Sequence, residues 1–322
     1  MAHYRLELAD GRAAFAKVAG DAFAGAGPPD PELAGAGTAG PRAADPRAAG
    51  SGLAAEASGL RWLGAATAVP VPEVLAGDDH ALVISWIAAG AADRRSAIRF
   101  GRELALLHAA GSAGFGAPWP GVIAGLPLPN GPGPAAGAGA GGTDSGSADS
   151  GSADSGGADS GGADSGGADS GGLSWAEWYA GARLLPYVRL GRDRGALGAG
   201  DAAVVEAAAA RVAEVAGPAE PPSRIHGDCW SGNVLWSGGR GWLIDPAAHG
   251  GHRESDLAML SLFGAPHLRE ILAAYQEAAP LAVGWAARVP LHQLHPLLVH
   301  VCLFGDAYTA SAVAAARAVL VM

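Results

Sequence analysis

Three polar residues in the second half of the chain have the types and the order needed for phosphoryl transfer. Asp228 follows a His-Gly pair, Asn233 lies five positions later, and Asp245 ends the apolar run 242–244. In enzymes that transfer a phosphoryl group, such an aspartate accepts the proton of the substrate hydroxyl and such an asparagine holds a magnesium ion. Carboxylate and amide oxygens are the hard ligands that Mg²⁺ prefers. The spacing therefore predicts Asp228 as the base and Asn233 and Asp245 as the metal ligands.

Each of these residues also has an ordinary structural role as an alternative. Asp228 could close a turn or cap a helix, and Asn233 and Asp245 could serve the turns of a hairpin. Segments 234–236 and 241–245 are typical of two strands joined by a Gly-containing turn. This hairpin would carry Asn233 at its entrance and Asp245 at its exit, so that both could face one cleft.

Lys17 is the only lysine in the chain, because every other basic residue is an arginine. It lies near the end of a predicted strand, and Glu56 lies in the first turns of a predicted helix. In protein kinases, a strand-borne lysine contacts the α- and β-phosphates of ATP and is held by a glutamate on a helix. A compact ammonium suits this task. The alternative is that both side chains lie on a solvated surface.

The elements that must position these residues are strands in the first part of the chain and mainly helices later. An Asp-Gly turn joins segments 4–8 and 13–18 in a predicted hairpin, which places Lys17 near the end of its second strand. Further strands are predicted at 69–75 and 81–87. Helices are predicted over 53–63, 96–110, 174–190, 201–216, 254–263, 267–278 and 291–319.

Two stretches have a composition that argues against a packed structure. Residues 24–52 are rich in Gly, Pro and Ala without periodicity, which predicts a loop or a flexible insert. Residues 131–172 contain six five-residue repeats, mostly Ala-Asp-Ser-Gly-Gly, with no apolar side chain large enough for a core. We expect a flexible, disordered insert there. A calcium-binding β-roll is the alternative, but its repeats have nine residues and an apolar position.

Charge and composition argue against nucleic acids and membranes as binding partners. The formal net charge is −10, and six acidic residues lie in the repeats, so that −10 + 6 = −4 remains for the rest. No basic stripe predicts nucleic-acid binding, and neither a polybasic helix nor a run of about 18 apolar residues predicts a membrane protein. Two cysteines and the absence of a signal-peptide pattern lead us to expect a cytoplasmic protein. The oligomeric state is left open.

Three histidines near the end of the chain, His292, His295 and His300, raise the alternative of a zinc site. Pro296 is expected to interrupt the helix between them, and neither a cysteine nor a carboxylate supports the set. We therefore expect ordinary helix histidines.

Two residues near the phosphoryl-transfer motif have predicted roles in shaping it. Trp230 lies between the base and the metal asparagine, where its ring would form one wall of an acceptor pocket or else pack in the core. Asp256 begins an apolar helix. It could cap that helix or, if buried, brace the catalytic loop by accepting backbone N–H bonds.

Together these motifs resemble the fructosamine kinase (ketosamine 3-kinase) family, a branch of the protein-kinase-like fold that also includes aminoglycoside and choline kinases. The likeness rests on His226-Gly-Asp-Cys-Trp-Ser-Gly-Asn233 and on block 245–264, and it extends to 56–63, 125–130, 175–179, 183–185 and 297–305. It implies a bilobal α+β fold. The N-lobe, residues 1–88, would bind the nucleotide, and the mostly helical C-lobe, residues 89–322, would carry the catalytic and acceptor sites.

The resemblance implies ATP-dependent phosphorylation of the sugar 3-hydroxyl of a ketosamine, the rearranged adduct of a reducing sugar and an amine. The 3-phosphate makes that adduct labile, so the family is associated with deglycation. The implied cofactors are ATP and Mg²⁺. By the same resemblance, Asp228 is the base, Asn233 and Asp245 bind Mg²⁺, Lys17 and Glu56 form the nucleotide ion pair, and Trp230 lines the sugar pocket. Ser85, Trp86 and Ile87 would form the hinge that holds adenine, and His226 and Asp256 would support the catalytic loop.

The chain departs from the family's pattern in two places. Family members begin with an additional strand and a Gly-containing loop over the ATP phosphates, whereas this chain begins at the second strand, at Tyr4. The insert 131–172 replaces a short connector, which the fold should tolerate because doubling a loop costs only about 0.6 kcal/mol. Two alternative functions remain: a kinase of the same fold for an aminoglycoside or an amino alcohol, and a nucleotide-binding pseudokinase.

Overall fold

The first strands form an antiparallel hairpin that carries Lys17. The computed structural model describes residues 1–19, 46–131 and 173–322. Strands β1 (Ala2–Glu7) and β2 (Ala13–Val18) pair around Gly11, whose φ of +81° is a left-handed value that glycine adopts without strain. The Asp10 side chain accepts the Arg12 backbone N–H at 3.0 Å. The predicted hairpin is therefore confirmed.

Helix α1 packs on the sheet and begins earlier than predicted. It spans Pro46–Gly64, so residues 46–52, which were predicted to lie in a flexible insert, belong to a helix. Extending an existing helix costs less than starting one, so the packed part of α1 can support the turns that precede it. Leu53, Ala57 and Leu60 are buried against Leu82 and Ile84 of the sheet, which stabilises a helix that its glycines disfavour. The rest of that insert, and the repeats, lie outside the described residues.

The next strand is displaced relative to its prediction. Strand β3 spans Val74–Gly77 and β4 spans Ala81–Ser85, and the sheet order is β1-β2-β4-β3. The predicted strand over 69–75 was wrong in its first part, because Pro70 and Pro72 have no N–H for a strand ladder. This segment is attached to the second lobe instead, where the Leu243 N–H donates to the Pro70 carbonyl at 3.0 Å.

The second lobe is mainly helical, with short strand pairs near the junction of the lobes. Its helices pack around a core of buried Leu, Val, Ala and aromatic side chains. The helices are α2 (Arg94–Ala109), α3 (Trp175–Trp178), α4 (Leu185–Asp193), α5 (Ala199–Ala210), α6 (Val212–Val215), α7 (Arg253–Leu262), α8 (Leu268–Ala278), α9 (Trp285–Phe304) and α10 (Thr309–Leu320). The strands are β5 (Gly121–Ile123), β6 (Leu126–Leu128), β7 (Ser223–Ile225), β8 (Val234–Ser237), β9 (Arg240–Leu243) and β10 (His249–Gly251).

Three of the predicted helices are interrupted, and the last of them begins earlier than predicted, at Trp285 rather than at 291. A π-helical turn, Tyr179–Leu184, lies inside the predicted helix 174–190, and Arg211 separates α5 from α6 inside 201–216. A 3₁₀ turn at Gly305–Tyr308 divides the predicted helix 291–319. Gly305 has a φ of +71°, which a right-handed helix cannot contain.

Helix α9 continues through Pro296, so the predicted interruption there was wrong. Proline cannot donate an N–H to the carbonyl four residues earlier, which is that of His292. The Tyr179 hydroxyl lies 3.4 Å from that carbonyl and donates to the Leu291 carbonyl at 2.9 Å, which supplies a donor where the helix lacks one.

The C-terminal helices contain an apolar stretch that the sequence analysis did not identify. Stretch 285–320 is long and apolar enough to cross a membrane by length and composition alone. Its buried side chains, including Leu294, Leu298 and Ala316, belong to the core of the second lobe. Side chains of both helices therefore take part in core packing, and 39% of the apolar window is buried.

Candidate active site

The β8–β9 hairpin brings Asn233 and Asp245 together, as the sequence predicted. Val234 pairs with Leu243, and the Ile244 N–H donates to the Asn233 carbonyl at 3.1 Å. Asn233 ends a 3₁₀ turn before β8, whereas Asp245 follows β9 with a φ of +51°. A non-glycine residue in this left-handed region stores strain that the surrounding structure must hold. Such strain is concentrated at functional sites.

Asp228 is in direct contact with Asn233, the predicted metal ligand. The Asn233 Nδ2 group donates to the main-chain oxygen of Asp228 at 2.9 Å and to its carboxylate Oδ2 at 3.0 Å. Burial disfavours the charged carboxylate and raises the pKa of Asp228 to about 7, although the hydrogen bond from Asn233 works in the other direction. A carboxyl group with a pKa near neutrality is matched to proton transfer at physiological pH.

Asp256 holds the predicted catalytic loop by accepting backbone N–H groups, which is the supporting role suggested by the sequence. Its two carboxylate oxygens accept the backbone N–H groups of His226 at 2.7 Å and Gly227 at 2.9 Å. The buried His108 ring lies 3.2 Å from Oδ2 and also contacts the Tyr275 hydroxyl at 2.8 Å. Burial opposes the charge of Asp256, but these donors outweigh burial and lower its pKa. The loop is therefore held by a buried, ionised carboxylate.

His226 fixes the far side of the same loop. Its Nε2 atom lies 2.8 Å from the Ile244 carbonyl, so Nε2 carries the proton and Nδ1 can accept the Asp228 N–H at 3.3 Å. The predicted supporting role of His226 thus corresponds to a link between the catalytic loop and the strand that leads to Asp245.

Gly227 is required by the close approach of two backbones. It has a φ of +80°, and a Cβ atom there would lie 2.2 Å from the Ala247 carbonyl oxygen. No side chain can be accommodated at that distance. The sequence contained this signal as the glycine of the His-Gly-Asp motif, but the contact with Ala247 was not predictable.

Lys17 joins the two lobes through a buried cluster of charges. Its ammonium lies 2.9 Å from Glu56 Oε1 and 2.6 Å from Asp245 Oδ1. Burial disfavours the ammonium, but the two carboxylates outweigh it and hold the pKa of Lys17 above its ordinary value. Burial also disfavours the Asp245 carboxylate, and Lys17 overcomes that effect and lowers its pKa. The Lys17–Glu56 contact agrees with the predicted pair; the contact with Asp245 was missed.

The oxygen atoms around Asn233 and Asp245 fit a magnesium ion. Because Nδ2 of Asn233 is used by Asp228, its Oδ1 points away and accepts no hydrogen bond from the described residues. The Asp245 side chain is 36% exposed, and only its Oδ1 is bonded to Lys17. One amide and one carboxylate oxygen, with room for water, suit an ion that keeps part of its hydration shell.

The three predicted hinge residues differ in whether their backbone N–H groups are free to bind a ligand. The Ser85 N–H donates to the Glu73 carbonyl at 2.9 Å, and the Trp86 N–H donates to the Ala13 carbonyl at 3.1 Å. These amides are occupied by the sheet. Among the described residues, the Ile87 N–H has no such partner, which leaves it available to a ligand.

Trp230 lies at the edge of an aromatic surface beside the catalytic loop. Its half-buried ring packs edge-on against Phe263, with ring centroids 6.0 Å apart. A Cβ atom on Gly232 would lie 2.3 Å from the indole, so this glycine makes room for the ring. Phe263 and Phe304 are 40% and 36% exposed, and the His300 ring lies between them. Trp230 therefore lines a surface as well as packing.

Of the three histidines considered as zinc ligands, His292 lies in a buried group with His252 and Glu254. Ligand atoms of His252, Glu254 and His292 lie within 4.8 Å of one another and are buried. The guanidinium of Arg288 already binds both Glu254 oxygens, and the Nδ1 atom of His252 accepts the Glu254 N–H at 3.2 Å. A cation beside Arg288 would be repelled. The premise that no carboxylate accompanies His292 was wrong, since Glu254 lies beside it, and the expectation of ordinary helix histidines stays a prediction.

Comparisons with known proteins identify the family to which the chain is similar. A sequence model of the fructosamine kinase family, described as "Fructosamine kinase", matches residues 44–132 and 170–322. A protein assigned as a ketoamine kinase from Synechocystis sp. is 31% identical over 261 residues, covering 79% of this chain and 74% of that protein. One from Enterococcus faecium is 47% identical over 88 residues, which span 27% of this chain and 31% of the relative.

Solved structures extend the likeness along the chain. The crystal structure of a protein assigned as a fructosamine-3-kinase from Thermobifida fusca is 43% identical, with a TM-score of 0.75 over 99% of this chain and 90% of that one. A gentamicin-bound aminoglycoside phosphotransferase superposes with a TM-score of 0.52 at 11% identity, which supports the fold alone. The bilobal α+β fold is confirmed, and the chain belongs to the fructosamine kinase family, whose fold is that of ATP-dependent phosphotransferases.

Proposed function

We propose that the protein is an ATP-dependent kinase that phosphorylates the sugar 3-hydroxyl of ketosamines. The observation that carries the proposal is the junction of two clusters at Asp245. On one side, Asn233 binds Asp228, and its carbonyl accepts the N–H of Ile244, the residue before Asp245. On the other side, Lys17 of the first lobe binds both Glu56 and Asp245. Family membership supplies the substrate class, and the geometry supplies the residues for the transfer.

In the proposed reaction, Asp228 accepts the proton of the acceptor hydroxyl as its oxygen attacks the γ-phosphorus of ATP. The bond from the γ-phosphorus to the β–γ bridging oxygen breaks, and ADP leaves. Lys17 binds the α- and β-phosphates while Glu56 holds the ammonium in place. Asn233 and Asp245 would hold Mg²⁺, which neutralises charge on the transferred phosphoryl group. Asn233 also orients Asp228 through the bond to Oδ2.

The adenine would lie beside the end of β4. Of the three residues assigned to the hinge, Ser85 and Trp86 would contribute chain geometry, and Ile87 would donate its free N–H to the base. The Trp86 ring is covered by the Arg5 guanidinium at 4.8 Å, which makes it part of the wall.

The aromatic surface supports an acceptor that carries an amine. The nitrogen of a ketosamine is protonated at neutral pH, and aromatic faces attract such cations. Trp230 and Phe263 present rings next to the catalytic loop. We infer that Trp230 contacts the sugar and that Phe263 faces the amine substituent.

The test is an ADP-release assay with fructosyl-lysine, ribosyl-lysine, kanamycin and choline as acceptors, with and without Mg²⁺. The proposal requires turnover with a ketosamine, dependence on Mg²⁺ and loss of turnover in Asp228→Asn. Turnover only with kanamycin or choline would assign the chain to another acceptor of the same fold. Bound ATP without any turnover would indicate a pseudokinase.

A cytoplasmic location and the absence of nucleic-acid partners stay predictions. The two cysteines, Cys229 and Cys302, are free and buried, which is compatible with a reducing compartment.

A further inference from the structure

Arg224 links three elements that meet between the nucleotide site and the catalytic loop. It lies in β7, two positions before His226, and its side chain is half-buried. Its Nη1 atom donates to the Trp62 carbonyl at 2.6 Å, and its Nε atom donates to the Gly111 carbonyl at 3.3 Å. Its guanidinium lies 4.5 Å from the Trp62 ring. No carboxylate lies within ion-pair distance among the described residues.

The two carbonyls explain why a cation is stable there without an acid. Trp62 lies in the last turn of α1, and Gly111 follows the end of α2. Carbonyls at the end of a helix have no amide partner within the helix and carry its partial negative charge. The amides of Ala65 and Ala66 donate to the carbonyls of Arg61 and Leu63, which leaves the Trp62 carbonyl for Arg224. Arg224 thus binds one carbonyl in the last turn of α1 and one carbonyl two residues beyond the end of α2.

Both helices serve the reaction site. Helix α1 carries Glu56 six residues before Trp62, which is about 9 Å along the helix axis. Helix α2 carries His108, which contacts the Asp256 brace of the catalytic loop. Arg224 therefore connects α1, which carries Glu56, with the end of α2, whose His108 contacts Asp256 below the proposed base.

Helix α1 packs closely on neighbouring segments, so its position should depend on the contact between Arg224 and Trp62. A Cβ atom at Gly59 would lie 3.1 Å from the Ala248 Cβ and 3.4 Å from Pro246, so α1 packs directly on the segment that follows Asp245. The Trp62 ring also meets Trp119 edge-on, with centroids 5.8 Å apart. A small shift of the end of α1 would move Glu56 relative to Lys17, whose contacts of 2.6–3.0 Å leave little tolerance.

We propose that Arg224 is a positioning residue that fixes the end of α1 on β7 and thereby aligns Glu56 with Lys17. The inference rests on the proposed role of Lys17 and Glu56 in nucleotide binding. It assigns to Arg224 an effect on the nucleotide that does not depend on the acceptor.

The test measures Mg²⁺-dependent binding of a fluorescent ATP analogue, mant-ATP, without any acceptor. Arg224→Met should raise its dissociation constant about tenfold, the scale on which supporting residues act on a bound ion or ligand. Arg211→Met is the matched control, because Arg211 Nη1 donates to the Leu320 carbonyl at the end of α10 with the same 2.6 Å bond. It should leave nucleotide binding unchanged.

A double-mutant cycle separates positioning from general stability. If Arg224 acts through Glu56, then Glu56→Gln combined with Arg224→Met should bind mant-ATP no more than about twofold more weakly than Glu56→Gln alone. Independent, multiplying effects would overturn the inference, and so would unchanged binding in Arg224→Met. Unchanged binding in Glu56→Gln would instead refute the proposed nucleotide pair. If Arg224→Met does not fold, Arg224→Lys keeps a cation at the helix ends and gives the same cycle.

Discussion

Replacing Asp228 by asparagine tests two expectations: that its carboxylate acts as the base, and that its burial lowers the free energy of unfolding as pH rises. Asparagine keeps an oxygen that can accept the Asn233 Nδ2 bond of 3.0 Å, so the loop should keep its shape. It removes the carboxylate that takes the proton from the acceptor. Loss of a general base reduces turnover by roughly 10²–10⁴-fold. Binding of mant-ATP should change by less than about threefold, because Lys17, Glu56 and the metal ligands are untouched.

The same substitution should stabilise the protein at alkaline pH. The pKa of Asp228 is raised from 3.8 to about 7 by burial, so the folded state holds this proton more tightly than the unfolded state does. The free energy of unfolding of the wild type therefore falls as pH rises from about 4 to about 7. A shift of this size corresponds to at most about 4 kcal/mol. Asp228 is partly open to water, which screens its charge, and we expect about 1–2 kcal/mol.

The assay is urea unfolding of the wild type and of Asp228→Asn between pH 5 and pH 8, without nucleotide or Mg²⁺. The stability advantage of the variant should increase with pH and level off above about pH 7. Asp193→Asn, which removes an exposed carboxylate at the end of α4, serves as the control. A stability difference that does not depend on pH would refute the assigned burial effect. Undiminished turnover in Asp228→Asn would refute its role as base.

Three further substitutions test the parts that surround the base. Gly227→Ala forces a Cβ atom against the Ala247 carbonyl, so turnover should fall by roughly 10²-fold and stability by about 2 kcal/mol or more, measured by steady-state kinetics and thermal unfolding. Asp256→Asn places an amide N–H₂ where a carboxylate oxygen accepts a backbone N–H, and should cost about 3 kcal/mol in urea unfolding; a loss below about 1 kcal/mol would contradict the brace. Trp230→Ala should raise the KM for fructosyl-lysine about tenfold and leave that for ATP unchanged, whereas equal effects on both would remove Trp230 from the acceptor site.

The local motifs were predictable because their geometry is encoded over a few residues. The Asp10-Gly11 turn and the β8–β9 hairpin each depend on neighbouring residues, and the hairpin places Asn233 beside Asp245. Apolar periodicity predicted most of the helices. It could not predict that α9 continues through a proline, because a distant side chain supplies the missing hydrogen-bond donor. Tyr179 supports α9 at Pro296, and no pattern within α9 indicates this.

The contacts between distant segments were not predictable from spacing. Lys17 and Asp245 are 228 positions apart, and their 2.6 Å contact depends on how the two lobes meet. His108 reaches Asp256 across 148 positions, and Arg224 reaches Trp62 across 162. A lone lysine in an arginine-rich chain pointed to Lys17, but an ordinary histidine and an arginine gave no such signal. Their roles follow from burial and from the partners they meet.

Lys17 divides its contacts between two carboxylates, one of which is a proposed metal ligand. Its ammonium binds Glu56 and Asp245 together, and Asp245 is also the proposed ligand of Mg²⁺. A metal ion and an ammonium on one carboxylate repel each other, so metal binding favours a Lys17 that leans toward Glu56 and the phosphates. Glu56 therefore does more than hold Lys17. If Asp245 binds Mg²⁺ as proposed, Glu56 would give the ammonium an alternative partner and leave Asp245 to the metal. The position of α1, and hence of Arg224, would then also affect the metal site.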